Sequence, residues 1–485
     1  MKFYDREKEI KIINEIVGKS KKKGQLVVLQ GKRRVGKTAL ILHTFKKQKF
    51  LYFFVSKKTE KELLNDFREE ISKKLNLPYL GEFENLKQLL EFLFDYSKKN
   101  NLVVVFDEFQ NFKIINPSLF SDLQKFWDLN KDKSKIAIFC IGSMFTLIKK
   151  IFTSSKEPLY NRSNKIIELK PFDLKTQRAI LKDFKLLSPK NFLVFYSLFN
   201  GMPKYFELIE DNNLKGKDAK QIIKKLFCEE DAYLIKEGKN ILIEEFGRSY
   251  EKYFSVLTAI ALGKTTKNEI YNYTGININS LGVLLKSLED FYEIIERKTP
   301  VLEKKASSKL SSYKIKDEFL SFWFRYIYKK NYLIEIKNWQ VLFGHIDKDL
   351  NNYLGFKFEN LIKNYLIEQN NSKNSIFDFE QIGSFWKRPD LTGDNKEMDI
   401  VAVNKENKTA LIGECKLNFS EIDQNLVDSL IRKSRFISKL KNYRNDFYIF
   451  TVEELPKEKK KLLAKNDFKF LSLEKMLRSY TVFNL

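Results

Sequence analysis

"QLVVLQGKRRVGKTALILHTF", residues 25–45, decides the fold of the first part of the chain. An apolar run leads into Gly31-x-x-x-x-Gly36-Lys37-Thr38, and apolar residues at helical spacing follow. Strand, glycine loop and helix in that order form a phosphate cradle. The glycines let backbone N–H groups wrap a β-phosphate, Lys37 reaches the β/γ oxygens, and the Thr38 hydroxyl reaches a Mg²⁺ ion. Arg34, Val35 and Ala39 complete the lining of that loop. The reading predicts an ATP site.

Working outward, "FLYFFVS" (50–56), "LVVVFDE" (102–108), "KIAIFCIGS" (135–143) and "KIIELKP" (165–170) are further strand candidates. Continuous apolar runs alternating with helical segments predict a parallel sheet covered on both faces. Ligands bind at the carboxyl edge of such sheets. Asp107 at that edge suits a water-mediated Mg²⁺ contact, and Glu108 suits the base that orients an attacking water. Ser143, ending the next strand, is placed to sense the γ-phosphate. Arg162 in "PLYNRSNKIIELKPF" (158–172) reads either as an arginine finger supplied in trans, which requires a homo-oligomer, or as a structural arginine. Gly-x-Pro in "NGMPKYF" (200–206) predicts a helix break within a lid over the nucleotide.

At 485 residues the chain has room for roughly three domains at about 150 residues each. Lys+Arg number 88 against 63 Asp+Glu, a formal charge of +25. That excess favours a polyanionic partner, DNA before membrane, although a Lys-rich genome puts lysine on every solvated face. Cys140, Cys228 and Cys415 are isolated, which fits a reducing cytosol and no disulfide frame. That His43 and His345 are the only histidines argues against a His-centred triad or His-rich zinc site. The charged start "MKFYDREKEI" has no signal-peptide core, and "FLSFWFRYIY" is short and carries Arg325, so the expectation is a cytoplasmic protein with no membrane span.

"FYDREKEIKII" (3–13), "GKRRVGKT", "VVVFDEFQ", "LYNR" and "GMPKYF" occur in an order and spacing that resembles the archaeal-type P-loop ATPases of the AAA-related, STAND-like group across residues 1–240. The resemblance implies a five-stranded core with a helical lid, and an Arg6-Glu7 pair near the adenine. Asn161 stands where that family commonly has glycine.

Residues 248–300 read as three short helices and a strand, the order of a winged helix whose third helix can enter a major groove. That helix carries Asn277, Asn279, Ser280, Lys286 and Glu289, thin in arginine for a base reader, so protein contact is an equal reading. "YKIKDEFLSFWFRYIY" (313–328) resembles the joining segment of the same ATPases, and its aromatics read as core.

In the last part, "GFKFENLIKNYLIEQN" (355–370) predicts an amphipathic helix bearing Glu359. "EMDIVAV" (397–403) and "TALIGECKL" (409–417) flank the polar turn "NKENK" as hairpin strands. With Glu406-Asn407 at the turn centre, Asp399 falls opposite Glu414, with Cβ atoms about 5 Å apart. Lys416 follows two residues on, on the same face. Paired carboxylates repel unless a divalent cation joins them, and Mg²⁺ or Mn²⁺ prefers such oxygens. A surface ion pair on an edge strand is the plainer reading of Glu414 and Lys416. Asp, then Glu-x-Lys on a hairpin, after a helix carrying Glu, resembles the PD-(D/E)XK nuclease fold over residues 355–450, matching the C-terminal domain of the same ATPases. "SLIRKSRFISKLKNY" (429–443) predicts a helix offering Arg432, Lys433, Arg435 and Lys439 to phosphates, or a plain solvated face.

The expected architecture is α/β: a P-loop NTPase parallel sheet (1–172) with a helical lid (173–245), a winged-helix region and connector (246–330), and a restriction-endonuclease-like domain (331–485). Two functions follow. One is an ATPase that gates a metal-dependent nuclease acting on DNA. The other is an ATP-switched DNA- or protein-binding regulator with an inert nuclease-like domain.

Overall fold

Four of the five apolar runs around the glycine loop become inner or edge strands beside the first, β1 (Gln25–Gln30). They are β2 (Leu51–Phe54), β3 (Leu102–Asp107), β4 (Ile136–Gly142) and β5 (Lys165–Glu168). All pair in parallel, in the order β2-β3-β4-β1-β5. Every residue of β1, β3 and β4 is buried, as strands covered on both faces require. The helix Glu60–Leu75 supplies one cover. Thr59 and Glu62 close its start with a capping box, and Leu63, Leu64, Phe67 and Ile71 form its inward face. Each such fully buried large side chain contributes about 1.5–3 kcal/mol.

The computed structural model describes residues 1–77, 81–142, 145–247, 250–303, 311–372, 374–387 and 397–482. The chain divides into two units, Met1–Pro171 with Met202–Glu207, and Phe172–Gly201 with Leu208–Leu485. The helices at 173–200 thus group with the second unit, whereas "MPKYFE" stays with the phosphate loop.

In the second unit, helices Leu174–Asp183, Pro189–Phe199, Ala219–Phe227 and Leu234–Phe246 come first. Three further helices follow, Tyr250–Ala261, Lys267–Thr274 and Ile278–Lys286. An antiparallel hairpin of β6 (Ile295–Lys298) and β7 (Ser312–Ile315) closes that module. The aromatics after it are core: Phe319, Phe322, Trp323, Phe324 and Tyr326 are all buried.

The predicted helix 355–370 is the second half of a much longer one, Trp339–Asn371, about 50 Å at 1.5 Å per residue. It has no glycine-proline break in this stretch, and buried residues from Leu342 to Gln369 hold it along its length. Beyond it lies a mixed five-stranded sheet, β8 (Gln381–Phe385), β9 (Met398–Asn404), β10 (Thr409–Lys416), β11 (Arg444–Thr451) and β12 (Phe468–Ser472), in the order β12-β11-β10-β9-β8. β10 is the central strand, which overturns the edge-strand reading of Glu414 and Lys416. The helix predicted over 429–443 also differs: it runs Gln424–Ser434, and a 3-10 turn, Ser438–Leu440, follows. Ile437 and Leu440 turn into the core there, breaking the helical register. All three cysteines are unbridged. Among the described residues no helix is long and apolar enough to cross a membrane.

Candidate functional site

The phosphate loop is shaped by two glycines. A Cβ on Gly31 would lie 2.5 Å from the Leu169 carbonyl oxygen, and Gly36 has φ 90°, which L side chains adopt at a cost. The helix Lys37–Thr44 starts directly after Gly36 and aims its N-terminus at the loop. Lys37 Nζ donates to the carbonyls of Gly31 (2.9 Å) and Lys32 (3.1 Å). Thr38 Oγ1 donates to Asp107 Oδ2 at 2.6 Å, so the hydroxyl and the strand-end carboxylate meet. Such hard oxygen donors fit Mg²⁺. Pro203 approaches the same loop: a Cβ on Gly36 would lie 3.9 Å from its Cγ.

Glu108 sits next to Asp107 with φ 58°, a left-handed conformation that costs a non-glycine residue about 1–3 kcal/mol. Its N–H donates to Asp107 Oδ1 at 2.9 Å, and its Oε2 accepts from Gln110 Nε2. Arg162 braces its own loop. Its guanidinium donates to Asp128 Oδ2 (3.1 and 3.2 Å) and to the carbonyls of Pro158 and Tyr160 (both 3.0 Å). That fits the structural reading and leaves little of the side chain for a finger. Ser143 lies outside the described residues.

A second cluster lies at one end of the C-terminal sheet. The antiparallel register pairs Gly413 with Ile400, so Asp399 is next opposite Glu414. Glu414 is 8% exposed; its Oε1 is 3.3 Å from Lys416 Nζ, while its Oε2 has no hydrogen-bond partner among the described residues. Asp399 Oδ2 accepts from the Cys415 N–H at 2.8 Å. Burial, then the Glu414 and Glu359 carboxylates, push Asp399 well above the usual carboxylate range. Glu359, reaching in from the long helix, is pushed up to about 7 by burial, with Glu397 and Glu414 adding to the rise and Lys314 and Lys298 opposing it. Burial pulls Lys416 down, but Glu414 and Asp399 outweigh it and hold the ammonium above its ordinary value. A buried, orphaned carboxylate oxygen beside a second carboxylate is a donor set that suits a divalent cation. Among the described residues, however, no group of three His, Cys, Asp or Glu side chains is close enough to hold a metal on its own.

Residues 3–209 match the model of an ATPase domain predominantly from Archaea, and residues 323–427 that of archaeal and bacterial proteins of unknown function. An uncharacterised protein of Methanocaldococcus jannaschii, MJECL04, is 31% identical over 440 residues, 90% of this chain and 92% of that one. The chain belongs to this family of archaeal-type ATPases. Among solved structures, the Walker-type ATPase PABY2304 of Pyrococcus abyssi is 21% identical with a TM-score of 0.50, covering 67% of this chain and 96% of that one. The ORC2 protein of Aeropyrum pernix is 13% identical with a TM-score of 0.45, covering 69% and 95%. At 21% identity the likeness to the Pyrococcus abyssi protein concerns the fold.

Two residues of this archaeal-type ATPase, Tyr52 and Gln110, escape sequence reasoning, and Arg6, which the resemblance implies near the adenine, has backbone partners that the sequence does not show. Arg6 is buried, donating to the Lys170 carbonyl at 2.8 Å and reaching that of Val35 at 3.5 Å, so it ties the phosphate loop to the segment after β5. Glu7 beside it is exposed. Tyr52 donates to Asp107 Oδ2 at 2.7 Å, and burial with the Asp107 charge raises its phenol far above the usual range. Gln110, 1% exposed, holds the Glu108 carboxylate. Only Gln110 left a signal, an amide two residues after the acid; Arg6 and Tyr52 reach their partners across 164 and 55 residues. In the second unit the long helix links distant parts. Tyr353 Oη donates to the Ser197 carbonyl (3.1 Å) and Asn364 Nδ2 to Tyr196 Oη (2.6 Å), both on the helix Pro189–Phe199, and Glu359 lies between them in sequence.

Proposed function

We propose that this archaeal-type ATPase hydrolyses ATP in its first unit and uses that cycle to gate metal-dependent cleavage of DNA at the Asp399–Glu414–Lys416 cluster. Lys37 would hold the β/γ-phosphates, Thr38 and Asp107 would hold Mg²⁺, and Glu108 would orient the attacking water and take its proton. In the C-terminal sheet, Asp399 and Glu414 would share a Mg²⁺ or Mn²⁺ ion, whose chemistry when bound is to polarise a scissile phosphate and acidify a water. Lys416 would orient the water or stabilise charge developing on the phosphate, and Glu359 would take up a proton. Within the second unit, the helix Trp339–Asn371 bonds to the helix Pro189–Phe199 and carries Glu359. The three-helix and hairpin module serves as a winged helix that contacts DNA or protein, in a protein of the cytosol. The charge of +25 supports DNA as the partner.

The observation that carries the nuclease reading is the buried Glu414 Oε2 beside Asp399, with no hydrogen-bond partner among the described residues. The test is nicking of supercoiled DNA across Mg²⁺ and Mn²⁺, with and without ATP. Nicking that needs the metal and Asp399 supports it. The absence of nicking under every condition moves the protein to a second reading, an ATP-switched regulator with an inert nuclease-like domain. The lack of a three-ligand cluster among the described residues, with Lys416 already neutralising Glu414, favours that alternative.

A further inference from the structure

The carboxylate at the end of β3 is held from the neighbouring strand as well as from the phosphate loop. β2 pairs with β3 in parallel, with Tyr52 opposite Val105 and Phe54 opposite Asp107. Val105 and Asp107 are two residues apart and so share a face, and Tyr52 lies on that face beside Val105. Two residues of strand span about 6.6 Å, a step that a long side chain leaning along the strand can cross. The Tyr52 phenol does so and donates to Asp107 Oδ2 at 2.7 Å.

The strand that carries this phenol is fastened to Asp107 by its backbone too. The Val55 N–H donates to the Asp107 carbonyl at 2.9 Å, and Asn111 Nδ2 donates to the Val55 carbonyl at 2.8 Å. On the other side, the Tyr52 N–H donates to Glu70 Oε1 at 3.4 Å, on the helix Glu60–Leu75. The position of the phenol is therefore set by the sheet and by the helix that covers it. Asp107 is 4% exposed, so its carboxylate depends on protein donors. A carboxylate has about four lone-pair sites. Tyr52 and Thr38 both donate to Oδ2 and the Glu108 N–H donates to Oδ1, so turning the carboxylate breaks bonds at both oxygens. These donors do not have the same duties. The Thr38 oxygen is one of the hard donors that fit Mg²⁺. The Tyr52 phenol is a neutral donor at ordinary pH, and the bond that it makes is to the carboxylate.

We infer that Tyr52 is a positioning residue of the ATP site: its phenol holds the Asp107 carboxylate in the orientation that receives the Mg²⁺ ion of bound ATP, and so sets how much Mg²⁺ strengthens nucleotide binding. The role is exerted through Asp107 and rests on the ATP-site reading proposed above. It gives the edge strand β2 a part in the site that the phosphate loop and β3 otherwise form.

The experiment measures, by calorimetry on the full chain, affinity for a non-hydrolysable ATP analogue in EDTA and across a Mg²⁺ series. Wild type, Tyr52→Phe, Asp107→Ala and the double variant are compared. Phenylalanine keeps the ring and removes the donor. Tyr52→Phe is expected to bind the analogue in EDTA within about twofold of wild type and to lose about tenfold of the gain that Mg²⁺ brings, the lower end of what removing the partner of a metal-binding carboxylate costs. In the Asp107→Ala background the same change is expected to cost nothing further. A Mg²⁺ gain that Tyr52→Phe leaves intact overturns the inference while the ATP site stands. An equal loss in EDTA and in Mg²⁺ also overturns it, because the phenol would then serve packing alone. So does a Mg²⁺-specific loss that persists without the Asp107 carboxylate. If Asp107→Ala fails to fold, the Tyr52→Phe comparison between EDTA and Mg²⁺ decides alone. Wild type that does not bind the analogue, with or without Mg²⁺, overturns the ATP-site reading and this inference with it.

Discussion

Asp107 and Asp399 are both strand carboxylates next to another acid, yet their surroundings differ. Asp107 accepts from the Thr38 hydroxyl, the Tyr52 phenol and the Glu108 N–H. Its charge is met by the protein's own donors. Asp399 accepts from the Cys415 N–H and otherwise faces the carboxylates Glu414 and Glu359, with Lys416 as the near counter-charge. The first centre is organised in advance; the second holds stored repulsion that a bound cation or proton would relieve. A pre-organised site loses most when a catalytic group is removed. A frustrated one can gain stability from the same kind of change.

The largest expected effect tests the organised centre. Lys37→Ala should remove measurable ATP binding by calorimetry and cut turnover by at least about 10²–10³-fold, since the lysine answers phosphate charge directly. Equal affinity in the variant would dismantle the phosphate-loop assignment. Next, Glu108→Gln should keep ATP affinity within a few-fold and slow hydrolysis by about 10²–10⁴-fold. Steady-state phosphate release settles it, and unchanged turnover would take Glu108 out of the mechanism.

The frustrated centre predicts the opposite sign. Without metal, Asp399→Asn should melt at or above the wild-type temperature, because it removes a repulsive charge. Saturating Mn²⁺, at about a hundredfold over its Kd, should stabilise nucleotide-free wild type by about 2.7 kcal/mol and leave the variant unmoved. A variant that melts early, or that keeps the Mn²⁺ shift, would show that the two centres do not differ in this way.

The smallest effect concerns a carboxylate outside both centres. Glu368 accepts from Tyr480 Oη at 2.9 Å, and burial, then Asp173, push it up to about 7. Its folded pKa lies above the unfolded value, so the folded state binds the extra proton between the two. Stability therefore falls as pH rises from about 4.3 through about 7. Glu368→Gln should flatten that part of the melting-temperature profile between about pH 5 and about pH 8. Parallel profiles for both proteins would remove Glu368 from the pH dependence.

The sequence by itself determined what depends on local order. The apolar runs 25–30, 102–107 and 136–142 admit little but buried parallel strands, and the glycine loop between strand and helix placed Lys37 and Thr38. The polar turn at 405–408 sets the β9–β10 register, and with it Asp399 opposite Glu414. What only the tertiary structure decided are partnerships across long separations. The sequence carries no periodic trace of Arg6 on the Lys170 carbonyl, of Tyr52 on Asp107, or of a central rather than edge position for β10. Helical and strand periods record which face of an element is apolar; they do not record which other element covers it, and that choice is made by packing alone.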